Sequence, residues 1–451
     1  MKRIKMEYMM KQSIADRINQ TGGRTSGFDY LRIFLAVSVI AIHSTSISYG
    51  RAYDATIWTG LAAVFAHSIL PIFFALSGFL VAGSLERCPT LVSFYGLRTL
   101  RIVPALFVEV MLSAIIFGPM LSTMDLASYF SAPEFRLYFL NIIGDIHYLL
   151  PGVFTNNPLP ATVNGQLWTV PFELECYVAL GALIAVGITS KRKVLLGVII
   201  FGQCLWAWEA YKRGNAGELA PVNGPVLVLS FLSGFLFFLY RDLIILSKSL
   251  FILATTACVG LLLLQHGAFL VAIPATYITV YLGLLNPPKI KYLLAGDYSY
   301  GLYLYGYPIQ QAFASMGSWA HHWYLNLAVS LSAAFVIAYM SWNYIEKPTL
   351  ALRRYLPEIE RKFVAFVYGA WGTIRALVWE DVVTKLLSLA IFGTGIGSAM
   401  LLLDAHGSLG LISALMCFTL GVMKTRYRRF AVIRLSGGKE NGEPFVAPRE
   451  R

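Results

Sequence analysis

Charged side chains are scarce in this chain. Asp, Glu, Lys and Arg make up 13% of its 451 residues, about half the share of a soluble domain. That shortage excludes an ordinary solvated surface. Acidic residues are the scarcer sign, 24 Asp and Glu against 36 Lys and Arg, for a formal charge of +12. The five cysteines, Cys88, Cys176, Cys204, Cys258 and Cys417, show no paired spacing for a disulfide framework or a zinc site. The seven histidines are scattered without metal-ligand spacing, so no metal is expected. A Walker-type phosphate loop, a dinucleotide fingerprint, short repeats and low-complexity segments are all missing.

What is abundant is apolar sequence: 57% of residues are hydrophobic and the mean hydropathy is +0.64. The apolar runs approach 20 residues, the length of a membrane-spanning helix rather than an alternating barrel strand. The fold class expected is all-α, a polytopic helical membrane protein. Spans are expected at about 28–50, 57–82, 102–121, 167–188, 194–209, 222–240, 249–265, 267–285, 298–316, 323–344, 385–403 and 407–423. The 194–209 run is the shortest, and the loop 122–166 carries apolar pieces suited to a re-entrant or interfacial helix. Residues 1–26 and 424–451 read as basic cytoplasmic tails, 27–350 as the core, 351–384 as an amphipathic linker and 385–423 as an extra hairpin. Lys and Arg cluster in alternate loops, which predicts cytoplasmic termini. The positive charge is then mostly topology. Membrane lipid is the expected partner of the basic tails, and nucleic acid is not. The first apolar run is too long for a cleavable signal peptide and lacks a small-residue cleavage site.

Against that background, a few polar residues inside apolar runs stand out. Arg32 and His43 lie eleven residues apart in the first span. Eleven helical steps return to within about 20° of the start and rise roughly 16 Å, so the two share a face at different depths. Ionisable groups within a membrane are costly and tend to mark functional paths. Glu173 in GQLWTVPFELECY lies about 12 Å beyond Gly165, and His43 about 21 Å beyond Asp29. If the two helices enter from opposite sides of ~30 Å of hydrocarbon, these depths match. A carboxylate near an imidazole orients it and raises its basicity, as acyl transfer requires. Glu175 is about 200° around the helix from Glu173 and faces elsewhere. Pro171 is expected to kink this span.

Arg98 and Arg101 form R-x-x-R on one face at the inner end of the third span. With Arg32 they make a cationic mouth for a phosphorylated ligand. Coenzyme A, a phosphorylated nucleotide head on a long pantetheine arm, has the reach to place a thioester near His43. Other features read as structural: Ser77-Gly78 as a close helix contact, His67 as an interhelical hydrogen bond, the tyrosine run 298–308 as an interfacial belt, and Glu346 as a helix-end charge.

Six segments in this order, FDYLRIFLAVSVIAIHS, FFALSGFL, LRTLRIVP, LWTVPFELECY, YSYGLYLYGYP and YIEKP, resemble the acyltransferase-3 family of integral membrane O-acyltransferases over about 27–350. The resemblance implies a ten-span acyltransferase core and two extra C-terminal spans in this chain. It implies acetyl-CoA as donor, and a surface or exported polysaccharide or its lipid-linked precursor as acceptor, in the bacterial inner membrane. It associates Arg32 and His43 with acyl transfer and maps the family's R-x-x-R and glutamate onto Arg98, Arg101 and Glu173. His43 is then the general base or a transient acyl carrier, Glu173 its orienting or activating partner. Arg98 and Arg101 bind donor phosphates, and Arg32 anchors the donor or pairs with Asp29. Gly306 stands where the family usually has histidine, and Pro171 where it often has a small polar residue. A succinyltransferase of the same family and a transporter or flippase for a lipid-linked sugar are the alternative readings.

Overall fold

The computed structural model describes residues 12–365 apart from 24, 61, 88–89, 186, 188–190, 213–222 and 364. The hairpin expected at 385–423, the basic tail 424–451 and part of the linker 351–384 lie outside the described residues. Ten helices of 12 residues or more run through the rest: α1 Ser26–Tyr49, α2 Ala63–Arg87, α3 Leu91–Met111, α4 Val170–Ala185, α5 Arg192–Lys212, α6 Gly224–Leu239, α7 Lys248–Leu263, α8 Ala272–Gly283, α9 Ser299–Ala314 and α10 Trp323–Ser341. Each overlaps one of the first ten expected apolar segments. Six helical stretches are long and apolar enough to cross a membrane, Ser26–Tyr49, Ala63–Glu86, Val92–Leu121, Gly165–Ile184, Arg192–Lys212 and Trp323–Phe363. The protein is a multi-pass helical membrane protein. Strand structure among the described residues is one short antiparallel pair, Gln12–Ser13 with Ile245–Leu246.

Burial separates central helices from peripheral ones. Along α9 nearly every side chain is buried, and α6 is similar, so both are surrounded by protein. By contrast α5 buries only Leu195, Ile199 and Gln203, spaced four apart, a single stripe facing the bundle. Its outer face carries Phe201 at 68% exposure, an apolar surface that lipid covers without cost.

The tightest seam joins α2 and α6. A Cβ placed on Gly78 would sit 1.9 Å from the Phe231 carbonyl oxygen, and one on Gly234 2.0 Å from that of Ala75. The two backbones therefore touch at reciprocal glycines, as expected of Ser77-Gly78. Gly78→Val is expected to cost about 3 kcal/mol or more, because backbone cannot step aside as a side chain does. Size-exclusion yield of folded protein should fall severalfold. Gly197→Ala, on α5 with nothing within 4 Å of the added methyl, should instead raise the thermal midpoint slightly.

Between α3 and α4 the chain forms short helices, Leu126–Ser131 and Pro133–Tyr138, and then re-enters the bundle as irregular backbone. Two asparagines tie it down. The Asn141 amide donates to the carbonyls of Tyr138 (2.7 Å) and His147 (2.9 Å), and that of Asn164 to the Glu109 carboxylate (3.0 Å) and the Leu304 carbonyl (3.0 Å). Buried irregular backbone needs such partners. This segment delivers the short 3-10 helix Gly165–Thr169 to the middle of the bundle, where α4 begins.

Candidate functional site

Helical periodicity collects the polar residues on inward faces. On α2, Leu70, Phe73, Phe74, Ser77, Leu80 and Val81 recur at steps of three and four and line one wall. Across from them stand Arg98, Arg101 and Ile102 of α3, Glu173 and Tyr177 of α4, and Ser299, Tyr300 and Tyr303 of α9. Arg32 of α1 closes this cavity, which holds about 80 Å³.

Its electrostatics centre on Asp297, just ahead of α9. Asp297 Oδ2 accepts from Arg32 Nη1 at 3.1 Å and from Arg101 Nη2 at 2.6 Å, while Oδ1 accepts from the Ser299 hydroxyl at 2.7 Å. Burial pushes this carboxyl up, but the Arg32 and Arg101 guanidiniums outweigh it and hold the group well below the usual carboxylate range. Asp29 lies 4.0 Å from Arg32, so the expected Arg32–Asp29 pairing is the longer of that arginine's two ion pairs. Arg98 is held differently. It donates to the Ser84 hydroxyl at 2.9 Å and lies 5.8 Å from the ring centres of Phe94 and Tyr177, and its buried Nε has no partner. Of the three guanidiniums lining the cavity, only Arg98 has no carboxylate partner among the described residues. Glu173 accepts from the Tyr177 hydroxyl at 2.6 Å.

A second cavity, about 360 Å³, adjoins the first; Leu70 and Tyr303 line both. His43 lines it with Trp58, His67, Gln166 and Trp168. The His43 ring meets Tyr307 edge-on at 5.1 Å. Hydrogen bonds to its nitrogens are absent among the described residues, leaving the ring free to serve a ligand. Gly50, at φ 81°, ends α1 and turns the chain into the helix Arg51–Thr59, which brings Ala55, Trp58 and Thr59 to the wall of this cavity. On that helix Asp54 accepts from the Trp58 indole at 3.0 Å and from the Ser46 hydroxyl.

Arg32 and His43 thus face the same side of α1, one in each cavity, as their spacing predicts. Arg98, Arg101 and Glu173 join Arg32 in the cationic cavity, and Glu175 is not in its wall. Glu173 and His43 line different cavities, and the bonds Glu173 makes run to Tyr177.

Pro171 is the second residue of α4, where the 3-10 turn Gly165–Thr169 passes into the α-helix. Two expectations need correction. The tyrosine run is not an interfacial belt. Tyr298, Tyr303, Tyr305 and Tyr307 are buried, and the Tyr303 hydroxyl donates to the Gln166 carbonyl at 2.7 Å and pairs with Thr169. Hydroxyls that find protein carbonyls have no need of the headgroup region. His67 is buried and stacks on Trp58 at 5.4 Å, and no hydrogen bond to it is present among the described residues. At Gly306 an added Cβ would lie 2.7 Å from Ile40 Cγ1, so a histidine there would displace α1 packing.

Several residues of the site escaped sequence reasoning. Asp297 had one signal, an acid directly before an aromatic run. Asp54 and Trp58 had none, since they sit in the short connection between two spans. Gln166 and Trp168 lie within GQLWTVPFELECY, where neither carries a charge that would mark it in an apolar run.

A family model described as an acyltransferase domain matches residues 25–342, which spans both cavities. The chain is also similar to Nodulation protein 10 of Rhizobium leguminosarum bv. viciae, with 29% identity over 74% of this chain and 95% of that protein. It resembles an O-acetyl transferase of Shigella phage Sf6 at 26% identity, over 72% of this chain and 96% of the phage protein. No solved structure matches it. With most of the chain, and every residue lining the two cavities, inside that match, it belongs to the acyltransferase-3 family of membrane acyltransferases.

Proposed function

We propose that the protein is an O-acetyltransferase that takes its acyl group from cytoplasmic acetyl-CoA and passes it to a hydroxyl of a surface or exported polysaccharide or its lipid-linked precursor. The observation carrying this reading is the pair of adjoining cavities, one lined by arginines and the other by His43, with Leu70 and Tyr303 in both walls. The relative named O-acetyl transferase supports acetyl as the group moved. The positive-inside pattern supports a cytoplasmic arginine end and a bacterial inner-membrane location.

In this reading the narrow cationic cavity takes the pantetheine arm, and the nucleotide head remains at its mouth. Arg98, with no carboxylate partner among the described residues, binds phosphate most directly; Arg32 and Arg101 are held in place by Asp297. His43 takes the proton of the acceptor hydroxyl as its oxygen attacks the thioester carbonyl. A C–O bond forms, the C–S bond breaks, and the imidazolium returns the proton to the departing thiolate. The products are an acetyl ester and CoA. Glu173, beside the arginines, positions the donor arm through Tyr177.

The test is reconstituted protein with labelled acetyl-CoA. Label should appear in glycan esters, and label that stays on the protein when acceptor is withheld would identify an acyl-imidazole route instead. Movement of lipid-linked sugar without CoA release would reject transfer altogether. Arg98→Ala should raise the KM for acetyl-CoA roughly tenfold to a hundredfold, the worth of a hydrogen bond to a charged group. An unchanged KM removes Arg98 from the donor site.

A further inference from the structure

Gln166 is fully buried within the bundle and borders the His43 cavity, yet among the described residues neither its side-chain oxygen nor its nitrogen has a hydrogen-bond partner. Such groups are rare, because burying an amide without partners forfeits its bonds to water. The backbone explains why the residue sits there. The Gln166 carbonyl accepts from the Tyr303 hydroxyl at 2.7 Å, which pins the 3-10 turn but leaves the amide unused. Two half-buried indoles, Trp58 and Trp168, line the same cavity.

We propose that Gln166 is the residue that selects the acceptor, its amide turning out of its buried position into the cavity to pair with two adjacent hydroxyls while Trp58 and Trp168 border the apolar face of the same ring. This rests on the transferase reading above. One carboxamide presents a donor and an acceptor side by side, the complement of a vicinal diol in which one oxygen donates and the next accepts. Indole walls suit the C–H faces of a pyranose, and His43 stands in the same cavity to take a proton from a neighbouring hydroxyl. Gln166 is therefore a positioning and specificity residue, and the proton chemistry stays with His43.

The test uses the full-length protein in proteoliposomes with labelled acetyl-CoA. Acceptors are methyl hexopyranosides, their deoxy analogues, and the same sugars on a prenyl diphosphate. Gln166→Leu should raise the apparent KM for diol sugars roughly tenfold to a hundredfold, the loss of two neutral hydrogen bonds, with kcat within about threefold. The penalty should vanish for the deoxy sugar that lacks the paired hydroxyl. The thermal midpoint should not fall, because no protein partner is lost. Gln166→Glu, which keeps the volume and one acceptor oxygen, should give an intermediate penalty. A penalty seen only on prenyl-linked sugars supports the assignment and identifies a lipid-linked acceptor. An unchanged KM, a penalty equal for diol and deoxy sugars, or a lowered midpoint with kcat and KM both altered overturns it. So does a wild-type protein that binds CoA in calorimetry and acetylates no sugar. If wild type binds no CoA at all, the transferase reading fails first and this assignment falls with it.

Discussion

His43→Ala is expected to lower acyl transfer by about 10²- to 10⁴-fold, the range contributed by a positioned general base. The ring lies in a cavity of about 360 Å³, and its nitrogens are not consumed by any described residue. It packs edge-on against Tyr307, and that contact sets its orientation without occupying a nitrogen. The measurement is mass analysis of the glycan from cells carrying the variant, with protein level checked in parallel. Normal ester content at normal protein level would reject the role. CoA binding should survive the substitution, because the arginines line the other cavity.

Asp297→Asn is expected to be the most damaging single change outside His43. It removes the carboxylate shared by Arg32 and Arg101, the side chains being 18% and 35% exposed and that of Asp297 21%. Breaking one partner of a buried ion pair costs roughly 3–5 kcal/mol, and the partial exposure of Arg101 brings this to about 2–4 kcal/mol. The released guanidiniums also lose their fixed positions, so the KM for acetyl-CoA should rise as stability falls. The sign of the pH dependence follows. Because the carboxyl is held below its ordinary range, its stabilisation is complete above its unfolded pKa, about 3.9, and is lost as the pH falls from there toward the folded value. The wild-type thermal midpoint in detergent should therefore drop below about pH 4, and the drop should be smaller in Asp297→Asn. An equal acid slope in both proteins would remove Asp297 from that role.

The sequence was most readable where a periodic pattern meets a costly residue. Arg32 and His43 stand on one face because eleven helical steps nearly close the circle, and burying ionisable groups in an apolar run is tolerated chiefly for function. The same arithmetic placed Arg98 beside Arg101 and separated Glu173 from Glu175. It failed where the partner comes from a distant part of the chain. Asp297 is 265 residues from Arg32 and 196 from Arg101, and no periodicity spans that distance. The tyrosine run illustrates a second failure: tyrosines suit a membrane interface and a buried polar core equally well, and only their carbonyl partners decide between them.

Composition and periodicity alone settled the helical membrane class and which polar residues each helix turns inward, because both depend only on local geometry and on the cost of charge in lipid. Whether an inward residue meets a carboxylate, a ring or an open cavity was settled by packing: Arg32 and Arg101 on one aspartate, His43 edge-on to Tyr307. Those contacts join helices far apart in the chain, and which helices become neighbours follows from close approach of the kind seen at Gly78 and Gly234, which no single segment encodes.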